Sequence, residues 1–223
     1  MDRELAATVT RLGQVFAPYP RRAELDGCPQ CRPSTPVDEQ DLFSLTIRLG
    51  NTVGGRDDVK SLLPLLLERL VASNELDPGI VLGKLAQEEW RGWPPAEQQA
   101  VDEYLAAVWR CLLAEFPSRL GAFVDAAEFL DAVARTGDSV DRFLAAWSTI
   151  RGPAADRHLA LLVNRLDSAA RRRDTTVIAW LCREATRDRL LTAFERDNDA
   201  TWADDLVSAY DLLCLRSLAQ HAS

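Results

Sequence analysis

Lysine is almost missing from this chain. Of its 26 basic side chains only Lys60 and Lys84 are lysines; the rest are arginines. Alongside the wealth of alanine and leucine, this bias reads as GC-rich bacterial coding, not as a phosphate-binding surface. Histidine is nearly as scarce, with His158 and His221 alone, which removes most general-base and metal-ligand patterns. There is no H-E-x-x-H, no P-loop and no G-x-G-x-x-G, so zincin, NTPase and dinucleotide chemistries are excluded. A di-iron bundle needs Glu-x-x-His pairs on facing helices, and none exists. Asp57-Asp58 and Asp204-Asp205 lack the third acid of a helical prenyl-diphosphate enzyme and read as helix starts. No serine or cysteine stands in a frame with a histidine base.

Long apolar runs are also lacking. A membrane span needs ~18 apolar residues; the longest run here, Leu62 to Leu67, is interrupted by Pro64. The opening Met1-Asp2-Arg3-Glu4 has no apolar segment behind it, so no leader is expected. The net charge of −8 repels polyphosphate, so nucleic acid is not an expected partner. Five cysteines, an odd number, suit a reduced cytoplasmic protein. Nowhere do four to eight residues alternate as a half-buried strand requires.

What remains is helical periodicity. Leu5, Val9, Leu12 and Phe16 mark a first amphipathic helix, stopped by Pro18 and Pro20. Asp38 or Asp41 caps a second, ending at Gly50. Asp57-Asp58 opens a third with Val59, Leu62, Leu63, Leu66 and Leu70, and Pro64 is expected to kink or divide it. Asp77-Pro78 is a cap followed by a first-turn proline. Val101 to Phe116 carries the clearest three-four stripe, and further stripes follow through Leu218. The fold expected is all-α, with about ten helices. Residues 1–37 form an N-terminal helix and a Pro/Cys-rich connection, and residues 38–223 form one helical domain with a weak seam at Gly152-Pro153. Val59, Val101, Val140 and Ile178 head similar stripes, with Asp57 and Asp138 in equivalent capping places. That spacing of ~40 residues fits a HEAT-like stack of helix pairs, and it equally fits an irregular multi-helix bundle. Trp109, Trp147 and Trp180 fall on or beside apolar stripes as core, and Trp90 and Trp93 flank a proline corner that either staples two helices or presents a flat contact surface.

The stretch from Ala17 to Pro36 is the exception. It holds Cys28-Pro29-Gln30-Cys31, the only closely spaced cysteine pair. Cys28 and Cys31 are the candidate metal ligands. Two thiolates at this spacing supply half of a tetrahedral zinc site, so the other half must come from afar or from a second chain, as in a homodimer. A redox role resembling the glutaredoxin motif needs a strand before the first cysteine and a helix after it, and neither is expected here. A turn that packs its cysteines locally is the third reading.

The segments Y-P-R-R-A-E-L-D-G-C-P-Q-C, G-G-R-D-D-V-K-S-L-L-P-L-L-L-E and I-V-L-G-K-L-A-Q-E-E-W-R-G-W-P-P resemble a family of uncharacterised bacterial proteins. In that family a G-C-P-x-C turn precedes an Asp-rich, Leu-Pro-containing helix and a Trp-Pro corner. The resemblance covers residues 16–115 and implies no established activity. Gln30 stands where some members carry a histidine. The function expected is therefore a non-enzymatic helical protein–protein interaction module, without a cofactor. The alternatives are a zinc-binding protein whose cysteine pair controls assembly, and a helical enzyme with an unrecognised site.

Overall fold

The computed structural model describes residues 2–27, 34–166 and 175–221. Within them the chain forms eleven α-helices, one 3-10 turn and two three-residue strands. The first helix, α1 (Arg3–Val15), faces inward with Leu5 and Leu12. A β-hairpin follows, with β1 (Glu24–Asp26) antiparallel to β2 (Ser34–Pro36). These strands were not expected, because three residues are too few to show alternation. They are made by pairing: Leu25 lies opposite Thr35 and both are buried, and Val37 N–H extends the ladder to the Ala23 carbonyl at 2.9 Å.

Then come α2 (Leu42–Arg48), α3 (Arg56–Ala72), α4 (Pro78–Gln87) and α5 (Pro95–Ala114), with the 3-10 turn Trp90–Gly92 before α5. Their starts follow ordinary capping chemistry. Asp41 accepts from Ser44 N–H at 3.3 Å and Asp77 from Ile80 N–H at 2.9 Å. Pro64 neither ends nor divides α3, which continues for 17 residues around it. Leu62, Leu63, Leu66 and Leu67 are buried on both sides of that proline, so packing outweighs the one backbone donor it removes. The second half comprises α6 (Ala126–Ala134), α7 (Asp141–Thr149), α8 (Pro153–Asn164), α9 (Thr175–Leu181), α10 (Glu184–Arg196) and α11 (Ala203–His221). Gly152-Pro153 is a helix start in which proline takes the first position.

The long helix α5 is the axis. It packs against α1 on one side and α6, α7 and α8 on others, and Tyr104 Oη donates to the Leu67 carbonyl of α3 at 2.7 Å. Around Trp109 the core is aromatic. Phe129 stacks on it at 4.7 Å, Trp147 meets it edge-on at 5.2 Å, and Trp180 stacks on Trp147 at 5.3 Å. Each indole N–H finds an acceptor, as buried tryptophans require. Trp90 donates to the Thr136 carbonyl, Trp93 to Glu88, Trp109 to Phe143 and Trp147 to Ala155. The Trp90–Trp93 corner is thus a staple. His158 is a core residue as well: its Nε2 lies 3.0 Å from the Glu115 carbonyl and its ring is edge-on to Phe116.

Two sequence expectations change. Asp138 does not cap α7; Val140 holds that place, and Asp138 instead pairs with Arg91. The stripes headed by Val59, Val101, Val140 and Ile178 lie on α3, α5, α7 and α9, which span 17, 20, 9 and 7 residues. Such unequal helices leave the ~40-residue repeat without support. No helix among the described residues is long and apolar enough to cross a membrane.

Candidate functional site

The N-terminal segment meets α3 and the start of α5, while α2 and the turn after it meet α4, and here the chain places both of its lysines. Lys60 on α3 is 5% exposed and Lys84 on α4 is 4% exposed. In a chain whose solvated cations are arginines, each lysine is an interior group.

Lys60 is fully engaged. Its Nζ lies 2.7 Å from Glu97 Oε2 and donates to Tyr19 Oη at 3.0 Å, while Tyr19 donates to Glu97 Oε1 at 2.7 Å. The ammonium also sits 4.6 Å from the Trp93 ring centre and 4.7 Å from that of Tyr19. Burial opposes its charge, but Glu97 and Tyr19 more than offset this and hold the lysine above its ordinary value. Phe16 packs edge-on to Trp93 at 5.9 Å. Residues of the N-terminal segment, α3 and α5 therefore share one buried ion pair.

Lys84 is poorly engaged. Its two acceptors, the Ile47 carbonyl and Gln87 Oε1, are both at 3.5 Å. Burial pushes its ammonium below the ordinary lysine value, with Glu88 opposing. Glu88 itself is reached by Arg56 at 3.4 Å. Gln87 ties α4 to the turn after α2, donating to the Gly50 carbonyl at 2.6 Å.

Arg22 forms the outer part of this seam. It clasps Asp58 through two hydrogen bonds, 2.9 and 2.7 Å, and reaches Asp26 at 3.0 Å. Asp58 Oδ2 also accepts from Gly55 N–H at 2.9 Å at the start of α3. The Asp57-Asp58 pair is thus a helix start, and Asp58 adds a tether for the hairpin. Beside it an open groove of about 680 Å³ is lined by Pro18, Pro20, Arg22, Arg56 and Asp57.

The hairpin lies at the edge of the seam. Gly27 bridges to Val53, and Gly54 N–H donates to the Asp26 carbonyl at 2.7 Å. Cys28 and Cys31 fall in the segment between β1 and β2 and lie outside the described residues, as do Arg171, Arg172 and Arg173. A strand does directly precede the cysteine segment, contrary to expectation. Among the described residues no three His, Cys, Asp or Glu side chains gather as a metal cluster. Cys111, Cys182 and Cys214 are free thiols, each partly buried.

Next to the hairpin, α2 turns Leu42 and Leu45 inward and leaves Phe43 and Ile47 outward, 45% and 47% exposed. These two stand one helical turn apart and share a face. Periodicity alone does not separate the two sides of this helix, because seven residues offer too few positions. The scarcity of lysine marks Lys60 and Lys84 in the sequence, but nothing local marks Tyr19 and Glu97 as the partners of Lys60, since they lie far from it along the chain. No family model, curated protein or solved structure matches this chain.

Proposed function

We propose that this chain works through contact with another protein, without catalysis, in a reducing cytoplasm. The contact is made where α2 meets the β-hairpin. The observation that carries this is the pair Phe43 and Ile47, two large apolar side chains held outward on one face of an ordered helix. The helix beneath them is fixed from the inside by Leu42, Leu45 and the Gln87–Gly50 bond. Rigid apolar anchors of this kind supply most of the free energy in a protein interface. Three free thiols suit the compartment. The test compares the immobilised chain with its Phe43→Glu/Ile47→Glu variant for retained proteins, with circular dichroism as the control on folding. A partner held by the parent and lost roughly tenfold or more by the variant is expected. Equal retention by both, or turnover of a substrate by the purified chain, overturns the reading.

One observation favours zinc as a second reading. The pairing of Asp26 with Ser34 brings together the two ends of the segment that carries Cys28 and Cys31, and a hairpin connection is a suitable carrier for a two-thiolate half-site. A second copy would complete the tetrahedron, making the metal a control on assembly. Less than ~0.2 zinc per chain in protein purified without added metal removes this reading.

A further inference from the structure

The helices α2 and α4 lie side by side. Lys84 reaches the Ile47 carbonyl, and Gln87 donates to the Gly50 carbonyl at 2.6 Å and to Asn51 Oδ1 at 2.8 Å. Lys84 and Gln87 therefore mark the side of α4 that meets α2. Gly79 and Ala86 mark the side that meets the end of α6: a Cβ on Gly79 would stand 2.8 Å from Arg135 Nε, and one on Gly137 would stand 3.8 Å from Ala86 Cβ. Gly83 falls between these two sides on the helix wheel. It is partly exposed, and a Cβ there would meet nothing within 4 Å. A glycine inside a helix weakens it, and here neither a positive φ nor a neighbour within this fold requires one. The bare backbone leaves room for a group from outside to come close.

On the neighbouring helix Phe43 and Ile47 stand outward, and Ile80 on α4 is partly exposed. None of these is charged, and Lys84 between them is buried. Charge gathers instead at the N-terminal ends of the two helices, and it is one-sided. Asp41 and Asp77, the two caps, accept from Ser44 N–H at 3.3 Å and Ile80 N–H at 2.9 Å, and Asp38 accepts from Gln40 N–H at 2.8 Å. None of the three carboxylates pairs with a cation among the described residues. Glu39 is already paired with Arg21 at 2.7 Å. Against them stands Arg48, which donates to the Ser44 carbonyl at 3.2 Å. A second copy seated on this face would set the carboxylates against their own images, and an anionic membrane or a nucleic acid would meet the same repulsion.

We propose that the α2–α4 face docks a basic amphipathic helix of a partner protein, an inference that rests on the interface proposed above and adds the chemistry of its occupant. The apolar stripe of the incoming helix, at i, i+3, i+4 and i+7, lies across Phe43 and Ile47. Its backbone comes close over Gly83, where no side chain intervenes. Lysines or arginines on its flanks meet Asp38, Asp41 and Asp77 at the rim, where charge selects the partner and speeds encounter more than it holds the complex.

A displayed library of helical peptides about four turns long tests the proposal. Each peptide carries a fixed leucine stripe at i, i+3, i+4 and i+7, with Lys, Glu or Gln at the remaining positions, and the library is selected on the immobilised full chain. Lysine-rich helices are expected to be enriched and, by fluorescence anisotropy, to bind saturably. Phe43→Glu/Ile47→Glu weakens them at least about tenfold. So does Gly83→Leu, which fills the bare stretch without touching the chain's own fold. Asp38→Asn/Asp41→Asn keeps a good cap and removes two charges, and weakens them about fivefold at low salt. Enrichment of glutamate-rich or uncharged helices, no enrichment, or unchanged binding by a folded Gly83→Leu overturns the proposal. So does a dimer of the chain alone, seen by sedimentation and dissolved by Phe43→Glu/Ile47→Glu, because a second copy is then the occupant. If a retained protein partner still depends on Phe43 and Ile47 in those cases, the interface stands and only the basic helix falls. Should Gly83→Leu fail to fold, the library and Asp38→Asn/Asp41→Asn decide.

Discussion

The two lysines make opposite contributions to stability, because only one of them has a close partner. Lys60 and Glu97 are each within 3.0 Å of a charged or hydroxyl partner, and their side chains are 6% and 7% exposed. Lys60→Met leaves the Glu97 carboxylate buried without its cation, which costs about 3–5 kcal/mol. The double variant Lys60→Met/Glu97→Met removes both charges and recovers most of that loss. Lys84→Met removes a desolvated ammonium whose acceptors stand no closer than 3.5 Å, so it is neutral or stabilising by about 1 kcal/mol. Urea denaturation of the four proteins checks all three signs; a destabilising Lys84→Met shows that its long hydrogen bonds matter more than its burial. His158 sets the acid side. Burial lowers its pKa from the ordinary 6.5, with the Glu115 carbonyl opposing. The unfolded chain then binds a proton that the folded chain refuses. Stability is therefore full above 6.5 and falls as pH drops from 6.5 towards the depressed folded value. A His158→Gln variant flattens the slope of urea midpoint against pH in that window.

At the scale of elements, the sharpest constraint is the turn between α5 and α6. Gly121 has φ +49°, and a Cβ there would stand 2.3 Å from the Leu70 carbonyl oxygen and 2.7 Å from the Val71 carbonyl carbon. The turn presses against the end of α3 because Ala122 N–H donates to that same Leu70 carbonyl at 2.8 Å. The obstacle is backbone, which has no rotamer to yield. Gly121→Ala is expected to cost about 3 kcal/mol, read as a fall in thermal midpoint. Gly55→Ala, where nothing stands within 4 Å of the added carbon, is the comparison that isolates the clash from the loss of a glycine. The same turn leads into α6, where Asp125 caps by accepting from Glu128 N–H at 2.9 Å and pairs with Arg165 at 2.7 Å.

For the whole molecule, the question is whether the N-terminal segment is an appendage or part of the body. Leu5, Leu12 and Phe16 are 2% exposed or less and belong to the same hydrophobic core as the residues of α5 and α8. The Tyr19–Lys60–Glu97 group adds a buried polar tie across the junction. A shared core unfolds as one unit. Calorimetry should show a single transition, and removal of residues 1–16 should abolish cooperative unfolding rather than delete a separate early step. Two resolved transitions in the intact chain would contradict this.

Helix positions and most breakers and caps were legible in the chain because they are local, with Pro64 and Asp138 the exceptions. A three-four stripe such as Val101 to Leu113, a cap such as Asp77 before Pro78, and a proline start such as Pro153 each act over a few residues, where spacing and backbone chemistry suffice. The all-α class followed from them. The tertiary structure alone decided what depends on distant pairing. Lys60 meets Glu97 and Tyr19 across 37 and 41 residues, Arg157 meets Phe116 and Trp202 across 41 and 45, and each strand of the hairpin exists only because the other lies beside it. Periodicity records which face of an element is apolar. It does not record which element covers that face, and among the eleven described helices that choice settles which charges are paired and which indoles are capped.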